Sequence, residues 1–285
     1  MGNRVACALC GCDCTWWAQW PGLPLGTAWS LYLCYEDQTL TVVAPDRAMV
    51  DIDQLDFHER KFDSGPKAIQ QKLDGLDRLV DELRFWLGEP GARVAELGAG
   101  RAGISAALAR RGYDVGSSEP SELMVGQARS DFGLDERQLQ ALTAQQHLAL
   151  MADASLDAII MWHVLEHVDT PLDIAREVRR VLRARGCFVL QMPIVAPEAL
   201  FAAHRFVVLP HFPEALARRL DMAVSYVAVD LERLFLTTVL SVDDTVRLDD
   251  RRPADLPLTG MPADMAAWLA ASRLQDVRWQ QEVPQ

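Results

Sequence analysis

Three groups of side chains in this 285-residue sequence have the types and spacing to do chemistry. The first runs Glu96-Leu-Gly-Ala-Gly-Arg-Ala-Gly103, with glycines at 98, 100 and 103 and a second carboxylate, Glu119, about 20 residues further on. Glycines so spaced let the backbone approach a ligand closely. The amides that open the next helix point at that ligand, and the later carboxylate accepts hydrogen bonds from ribose hydroxyls. The second group is His163, Glu166 and His167, whose imidazoles titrate near neutral pH and can take or lend a proton. The third joins Cys7-Ala-Leu-Cys10-Gly11 to Cys34-Tyr-Glu-Asp37, a knuckle-like pair of thiols and a later thiol with a carboxylate. Such donors suit a four-coordinate zinc ion.

These groups must be held by elements. Apolar residues at three- and four-residue spacing from Pro66 to Leu87 predict an amphipathic helix, with Ser64 placed to cap it and Gly88 to stop it. A strand over Arg93–Leu97 enters the glycines, a helix follows over 104–111, and a strand over 113–118 ends at Glu119-Pro120. A helix over 121–132, a weak segment at 138–150 and a strand over Leu156–Trp162 put His163 at a strand end. Residues 171–182 read as a helix that opens with Pro171 and Asp173 and closes with Arg179, Arg180 and Arg183, as the helix dipole favours. A strand over Cys187–Met192 comes next. Near-continuously apolar strands alternating with helices predict a parallel sheet covered on both faces. Beyond Pro193, helices are expected over 198–206 and 214–220, and strands over 223–229 and 234–242 so close together that one is antiparallel. Residues 243–263 read as a loop and 264–274 as a final helix capped by Asp264.

Composition bounds the partners. Half of the residues are apolar, enough for a substantial core, and 28 basic against 40 acidic residues leave a net charge of −12. A chain this acidic repels phosphate backbones, so nucleic acid is not expected as a partner. No apolar run approaches the roughly 18 residues of a membrane span, and no leader is visible, so a soluble cytoplasmic protein is the expectation. Five of the six cysteines fall at 7, 10, 12, 14 and 34, and four of the eight tryptophans at 16, 17, 20 and 29. Residues 1–45 therefore read as a small module of their own.

In this order the motifs resemble those of class I, seven-stranded S-adenosylmethionine-dependent methyltransferases. Val94–Gly103 resembles the glycine motif, Glu119 the acidic ribose-binding position, and Leu156–Val168 (Leu-Asp-Ala-Ile-Ile-Met-Trp-His-Val-Leu-Glu-His-Val) the strand-four motif, across roughly residues 66–242. Glu96 suits this reading, because a carboxylate is unwelcome beside a pyrophosphate and welcome beside an ammonium and a sulfonium. Ala102 departs from the pattern, as many relatives carry glycine there. The resemblance implies an α/β, doubly wound sheet in the order 3-2-1-4-5-7-6 with strand seven antiparallel. It implies a division into a Cys/Trp-rich module with a lid at 1–62, a methyltransferase domain at 63–243 and an extension at 244–285.

The resemblance also implies the site. Glu96, Gly98, Ala99, Gly100, Gly103, Glu119, Pro120, Gln145, Trp162 and His163 would contact S-adenosylmethionine, with Gln146 an alternative to Gln145 near the adenine. His163, with Glu166 and His167, would face the transferred methyl or the acceptor, as base or hydrogen-bond partner; the alternative is an imidazole that only caps the next helix or lines the pocket. His163 and His167 are four residues apart, a spacing that could hold a metal, but no third ligand is evident and the family motif accounts for both. His204 and His211 lie after strand five, where relatives build acceptor pockets, and are expected at the surface. An amino-terminal zinc ribbon is common beside such domains, which implies zinc on Cys7, Cys10, Cys34 and one of Asp37, Cys12 or Cys14. A degenerate ribbon resting on Trp packing is the alternative. Leu55–Phe62 would form the lid. The acceptor is expected to be a small molecule, a sugar or specialised metabolite, and the oligomeric state stays open. Two other functions remain: an NAD(P)-dependent oxidoreductase using the same glycine loop, and a non-catalytic S-adenosylmethionine-binding partner.

Overall fold

The computed structural model describes residues 4–22, 27–44, 66–196, 199–200, 203–230 and 233–243. It contains two sheets. The smaller begins with β1 (Val5–Ala6), β2 (Asp13–Gly22), β3 (Thr27–Cys34) and β4 (Thr39–Val43), each antiparallel to the one before. The helix α1 (Pro66–Leu87) then leads into β5 (Arg93–Leu97), α2 (Gly103–Arg110), β6 (Asp114–Val115), β7 (Ser117–Ser118), α3 (Glu122–Phe132), β8 (Leu139–Gln140) and α4 (Ala144–Ala149). There follow β9 (Leu156–Trp162), α5 (Pro171–Val181), β10 (Leu182–Pro193), β11 (Phe206–Val208), α6 (Phe212–Leu220), β12 (Ala223–Asp230) and β13 (Phe235–Ser241).

The larger sheet runs β12-β13-β10-β9-β5-β7-β8, with β6 also beside β5. β5, β7, β8, β9 and β10 are parallel, and β13 lies antiparallel to both β10 and β12. This is the expected order with its one antiparallel strand. Its interior strands are apolar along their length, because helices cover both faces. On one face Val80, Leu83 and Leu87 of α1 pack with Val94, Ile160 and Val189, and burying each such side chain contributes roughly 1.5–3 kcal/mol. On the other, Leu172, Ala175 and Val178 of α5 pack with Ile159, Phe188 and Leu190. Gly88, at φ +86°, ends α1 by donating to the Arg84 carbonyl.

Three expectations need correction. The strand over 113–118 is two short pieces interrupted at Gly116. The strand over 187–192 starts at Leu182, directly after α5, with a register shift before Cys187. The third concerns the helix over 198–206. Ala199 closes a turn on Ala196, and Phe206–Val208 is extended, pairing antiparallel with Thr39–Thr41. A β ladder requires an extended backbone, and here it overrides the helical propensity of the alanine-rich stretch. The small sheet consequently takes its fifth strand from the segment after β10, and Cys7, Leu9 and Cys34 join the same apolar cluster as Phe212 and Leu216 of α6. The proposed lid at 55–62, the Ser64 cap, the loop beyond 243 and the helix over 264–274 lie outside the described residues. Among the described residues no helix is long and apolar enough to cross a membrane.

Candidate functional site

The glycine loop connects β5 to α2 at the carboxyl edge of the parallel strands, where open α/β sheets bind ligands. Gly98 is glycine for two separable reasons. Its φ is +67°, and a Cβ there would lie 2.7 Å from both methyl carbons of Val164. The loop thus rests on the segment that follows β9. Gly100 is also left-handed, at φ +54°, but a Cβ there would meet nothing within 4 Å. Open space lies on that side of the loop. Ala102 takes φ +51° as well, fully buried, a conformation that is strained for a residue with a Cβ.

Two carboxylates organise this loop. Glu96, buried at the end of β5, accepts from the Ser105 amide at 2.9 Å and the Ser105 hydroxyl at 2.5 Å through Oε2. Ser105 is the third residue of α2, whose N-cap Ala102 has no side chain to offer, so Glu96 caps the helix from outside. The Ser105 and Ser117 hydroxyls lie 2.8 Å apart, and the latter accepts from the Glu96 amide at 3.1 Å. Glu119 accepts from the Gly100 amide at 2.8 Å and the Ser121 amide at 3.0 Å, tying the glycine loop to the start of α3. Ser121 in turn accepts from the Met124 amide as N-cap of α3. Gly103 begins α2, Ala99 donates to the Ser118 carbonyl, Pro120 is exposed beside Glu119, and Gln145 is exposed in the first turn of α4. Gln146 closes a capping box with Thr143. Ser105 and Ser117 were not singled out from the sequence; an unfilled helix start nine residues after a strand-end carboxylate is the signal that could have found Ser105.

Past β9 the chain turns sharply. His163 has φ +57°, a conformation uncommon for a residue with a side chain, and its amide donates to the Gln191 carbonyl. Its ring meets Phe235 edge-on with centroids 4.2 Å apart, and Nδ1 lies 3.5 Å from Glu166 Oε1. Glu166 is completely buried; neither oxygen has a hydrogen bond of ordinary geometry, and His167 Nε2 is 3.9 Å away. Burial pushes the Glu166 carboxyl up, but the imidazoles of His163, His167 and His204 outweigh it and hold the group below the usual range. His204 corrects the expectation of a surface residue, for it is 8% exposed, with its ring 4.8 Å from that of His167. Burial pulls its pKa down to about 4. His211 is exposed, at the N-cap of α6. Trp162 is half-buried at the end of β9.

In the small sheet, Cys7, Cys10, Cys34 and Asp37 offer donor atoms that all lie within 4.8 Å of one another. Gly11, at φ +76°, lets the first turn close with its amide on the Cys7 carbonyl, and the Leu9 amide donates to Cys7 Sγ at 3.4 Å. Cys10 and Cys34 are 4.0 Å apart, and the Cys34 thiol lies 3.4 Å from Asp37 Oδ2. The Cys34 thiol's hydrogen bond pulls Cys7 down to about 5. Asp37 is fully buried, and its other oxygen accepts from Arg219 of α6 at 2.9 Å. Cys12 is exposed, and Cys14 turns to Thr41 at 3.8 Å.

Residues 95–190 match the family described as a methyltransferase domain. The larger sheet has the Rossmann-like α/β fold of S-adenosylmethionine-dependent methyltransferases. Among curated proteins, a ubiquinone biosynthesis O-methyltransferase from Xanthomonas campestris pv. campestris is 32% identical over 140 residues, covering 47% of this chain and 57% of the relative. A protein of the same name from Aeromonas salmonicida is 30% identical over 114 residues, covering 39% and 46%. The chain therefore spans only about half the length of the curated relatives it matches. Among solved structures, a proposed sarcosine dimethylglycine methyltransferase from Galdieria sulphuraria superposes with a TM-score of 0.51 at 14% identity, over 62% of this chain and 88% of that one. At that identity the likeness concerns the fold.

Proposed function

We propose that this chain transfers the methyl group of S-adenosylmethionine to an oxygen atom of a small molecule, a sugar or specialised metabolite. The observation that carries the proposal is the division of labour between two carboxylates. Glu96 already fills the start of α2, where a dinucleotide would seat its pyrophosphate. Glu119 lies beside the open side of Gly100, where a ribose and a cationic ligand are favoured. These residues fit the methyl donor. Gly98, Ala99, Gly100 and Gly103 would hold it by backbone approach, Glu119 by the ribose, Pro120 and Gln145 beside the adenine, and Trp162 and His163 at the methyl end. When bound, its sulfonium supplies an electrophilic methyl and leaves as a neutral thioether. In such a displacement alignment dominates, and the protein's part is to orient the acceptor and exclude water.

An oxygen acceptor must also lose a proton, and His163, directly after β9, would take it. Glu166, 3.5 Å from His163 Nδ1, would orient the ring and favour the imidazolium that forms; His167 completes the catalytic group. The relatives' printed name, an O-methyltransferase, supports oxygen as the accepting atom. The net charge of −12 supports an acceptor other than nucleic acid. We assign structural zinc to Cys7, Cys10, Cys34 and Asp37, whose donors suit it. Arg219 would support the ligating carboxylate from behind. The six free thiols suit a reducing compartment such as the cytoplasm.

Transfer of a labelled methyl group to a panel of hydroxylated small molecules tests the proposal. His163→Ala is expected to lower kcat by about 10²–10⁴-fold while S-adenosylhomocysteine affinity changes little. Binding of that product with no turnover on any acceptor would instead favour a non-catalytic binding protein.

A further inference from the structure

Glu166 is the anomaly of the molecule. It is completely buried, and both of its oxygens lack a hydrogen-bond donor among the described residues. A buried carboxylate left so is costly unless a positive partner is supplied. The nearest groups are imidazoles, and their tautomers are fixed by what else they touch. His167 Nδ1 lies 2.9 Å from the Ala203 carbonyl, and His204 Nδ1 lies 2.7 Å from the Ala199 carbonyl. A carbonyl can only accept, so both Nδ1 atoms carry the proton and both Nε2 atoms present a lone pair. A ring nitrogen of each imidazole and a carboxylate oxygen of Glu166 thus converge, with all three donor atoms within 4.8 Å of one another.

We propose that Glu166, His167 and His204 form a binding site for a divalent transition-metal ion, separate from the cysteine cluster. The donor set is two imidazole nitrogens and one carboxylate, which selects zinc-like ions over magnesium or calcium. Metal-bound histidines characteristically donate their other ring nitrogen to a carbonyl or carboxylate, as both rings do here. Bond lengths of about 2.0–2.2 Å place tetrahedral ligand atoms roughly 3.4 Å apart. His167 Nε2 and Glu166 Oε1, at 3.9 Å, need only a small contraction. Three protein ligands leave a fourth position for water.

The ion would sit at the junction of the two sheets. Arg205, next to His204, donates its amide to the Glu166 carbonyl at 2.9 Å and extends its guanidinium to the His167 carbonyl at 3.4 Å and to Asp169. Its own carbonyl accepts from Val42 of β4 at 2.9 Å. A bound ion would pin the segment after β9 to the segment that completes the small sheet.

The test uses the full chain, stripped with a chelator, reloaded with zinc and assayed for metal per chain. His204→Ala and Glu166→Gln are each expected to lose one ion per chain, or to bind it at least 100-fold more weakly, with unchanged circular dichroism. Cys10→Ser is expected to leave that ion in place. X-ray absorption of the zinc-loaded Cys10→Ser variant is then expected to report nitrogen and oxygen ligands without sulfur. If His204→Ala does not fold, this spectrum and Glu166→Gln decide. Equal metal content and chelator resistance in wild type, His204→Ala and Glu166→Gln would overturn the proposal, as would a zinc-free Cys10→Ser variant. The outcome is independent of whether the glycine loop binds a methyl donor.

Discussion

The carboxylates at the glycine loop and the carboxylate behind β9 are all buried at the same edge of one sheet, yet they are satisfied in opposite ways. Glu96 and Glu119 between them accept from three backbone amides and one hydroxyl. Glu166 has no hydrogen bond of ordinary geometry and is ringed by imidazoles. The first pair is completed by the protein itself, so its role is to shape a loop that receives something else. Glu166 is completed only by a positive charge from a proton or an ion, so its surroundings carry the binding.

Breaking the loop directly gives the largest effect. In Gly98→Ala the new Cβ meets Val164 at 2.7 Å and the left-handed φ of +67° is strained. Overpacking and strain together are expected to cost roughly 2–5 kcal/mol, read from the urea midpoint, and to abolish ligand binding at the loop. A midpoint within 0.5 kcal/mol of wild type, by the about ±0.5 kcal/mol scatter of neutral substitutions, would mean that the loop does not rest on Val164.

The carboxylates themselves sharpen the contrast. Glu96→Gln turns charge-assisted hydrogen bonds into neutral ones, and a loss of about 2 kcal/mol is expected. Glu166→Gln has no such bonds to weaken. In chelator-treated protein it is expected to match or exceed wild-type stability. Equal losses in the two variants would erase the distinction.

His147 offers the smallest effect and serves as a control. Like His204 it is buried and bonded through one ring nitrogen to a carbonyl, that of Gly116 at 3.0 Å. Burial lowers its pKa in the fold, against the opposing pull of that carbonyl. Below the unfolded value, near 6.5, the unfolded chain takes up a proton that the native one refuses. Stability therefore falls as pH drops through that range, by up to about 1.4 kcal/mol per pH unit. Denaturation at pH 7 and pH 5.5 should show His147→Gln losing this part of the slope.

The contrast also explains what was legible in the sequence. α1, β5 and β9 have the bounds that periodicity and flanking glycines imply, because their hydrophobic patterns are long or continuous. The glycine loop was readable because its signal is local. The three-residue β11 was not, since its extended form comes from pairing with β4, far earlier in the chain. His204 read as a surface residue for the same reason: its burial depends on how that segment docks. With His204 misplaced, the strand-four histidines had no third ligand, and Glu166 passed for part of a motif. The contact of Gly98 with Val164 is equally invisible to local pattern, although glycine at 98 was anticipated on other grounds.

The open side of the glycine loop is the surface expected to receive a methyl donor. Calorimetric titration of the full chain with S-adenosylhomocysteine, beside the Gly100→Ala variant, tests it most directly. A Cβ at Gly100 would project into the open space without touching protein within 4 Å. Saturable binding to wild type with one site per chain, weakened at least tenfold in Gly100→Ala while its fold is retained, is the predicted result. Absence of binding to wild type, or equal affinity in the two proteins, would contradict it.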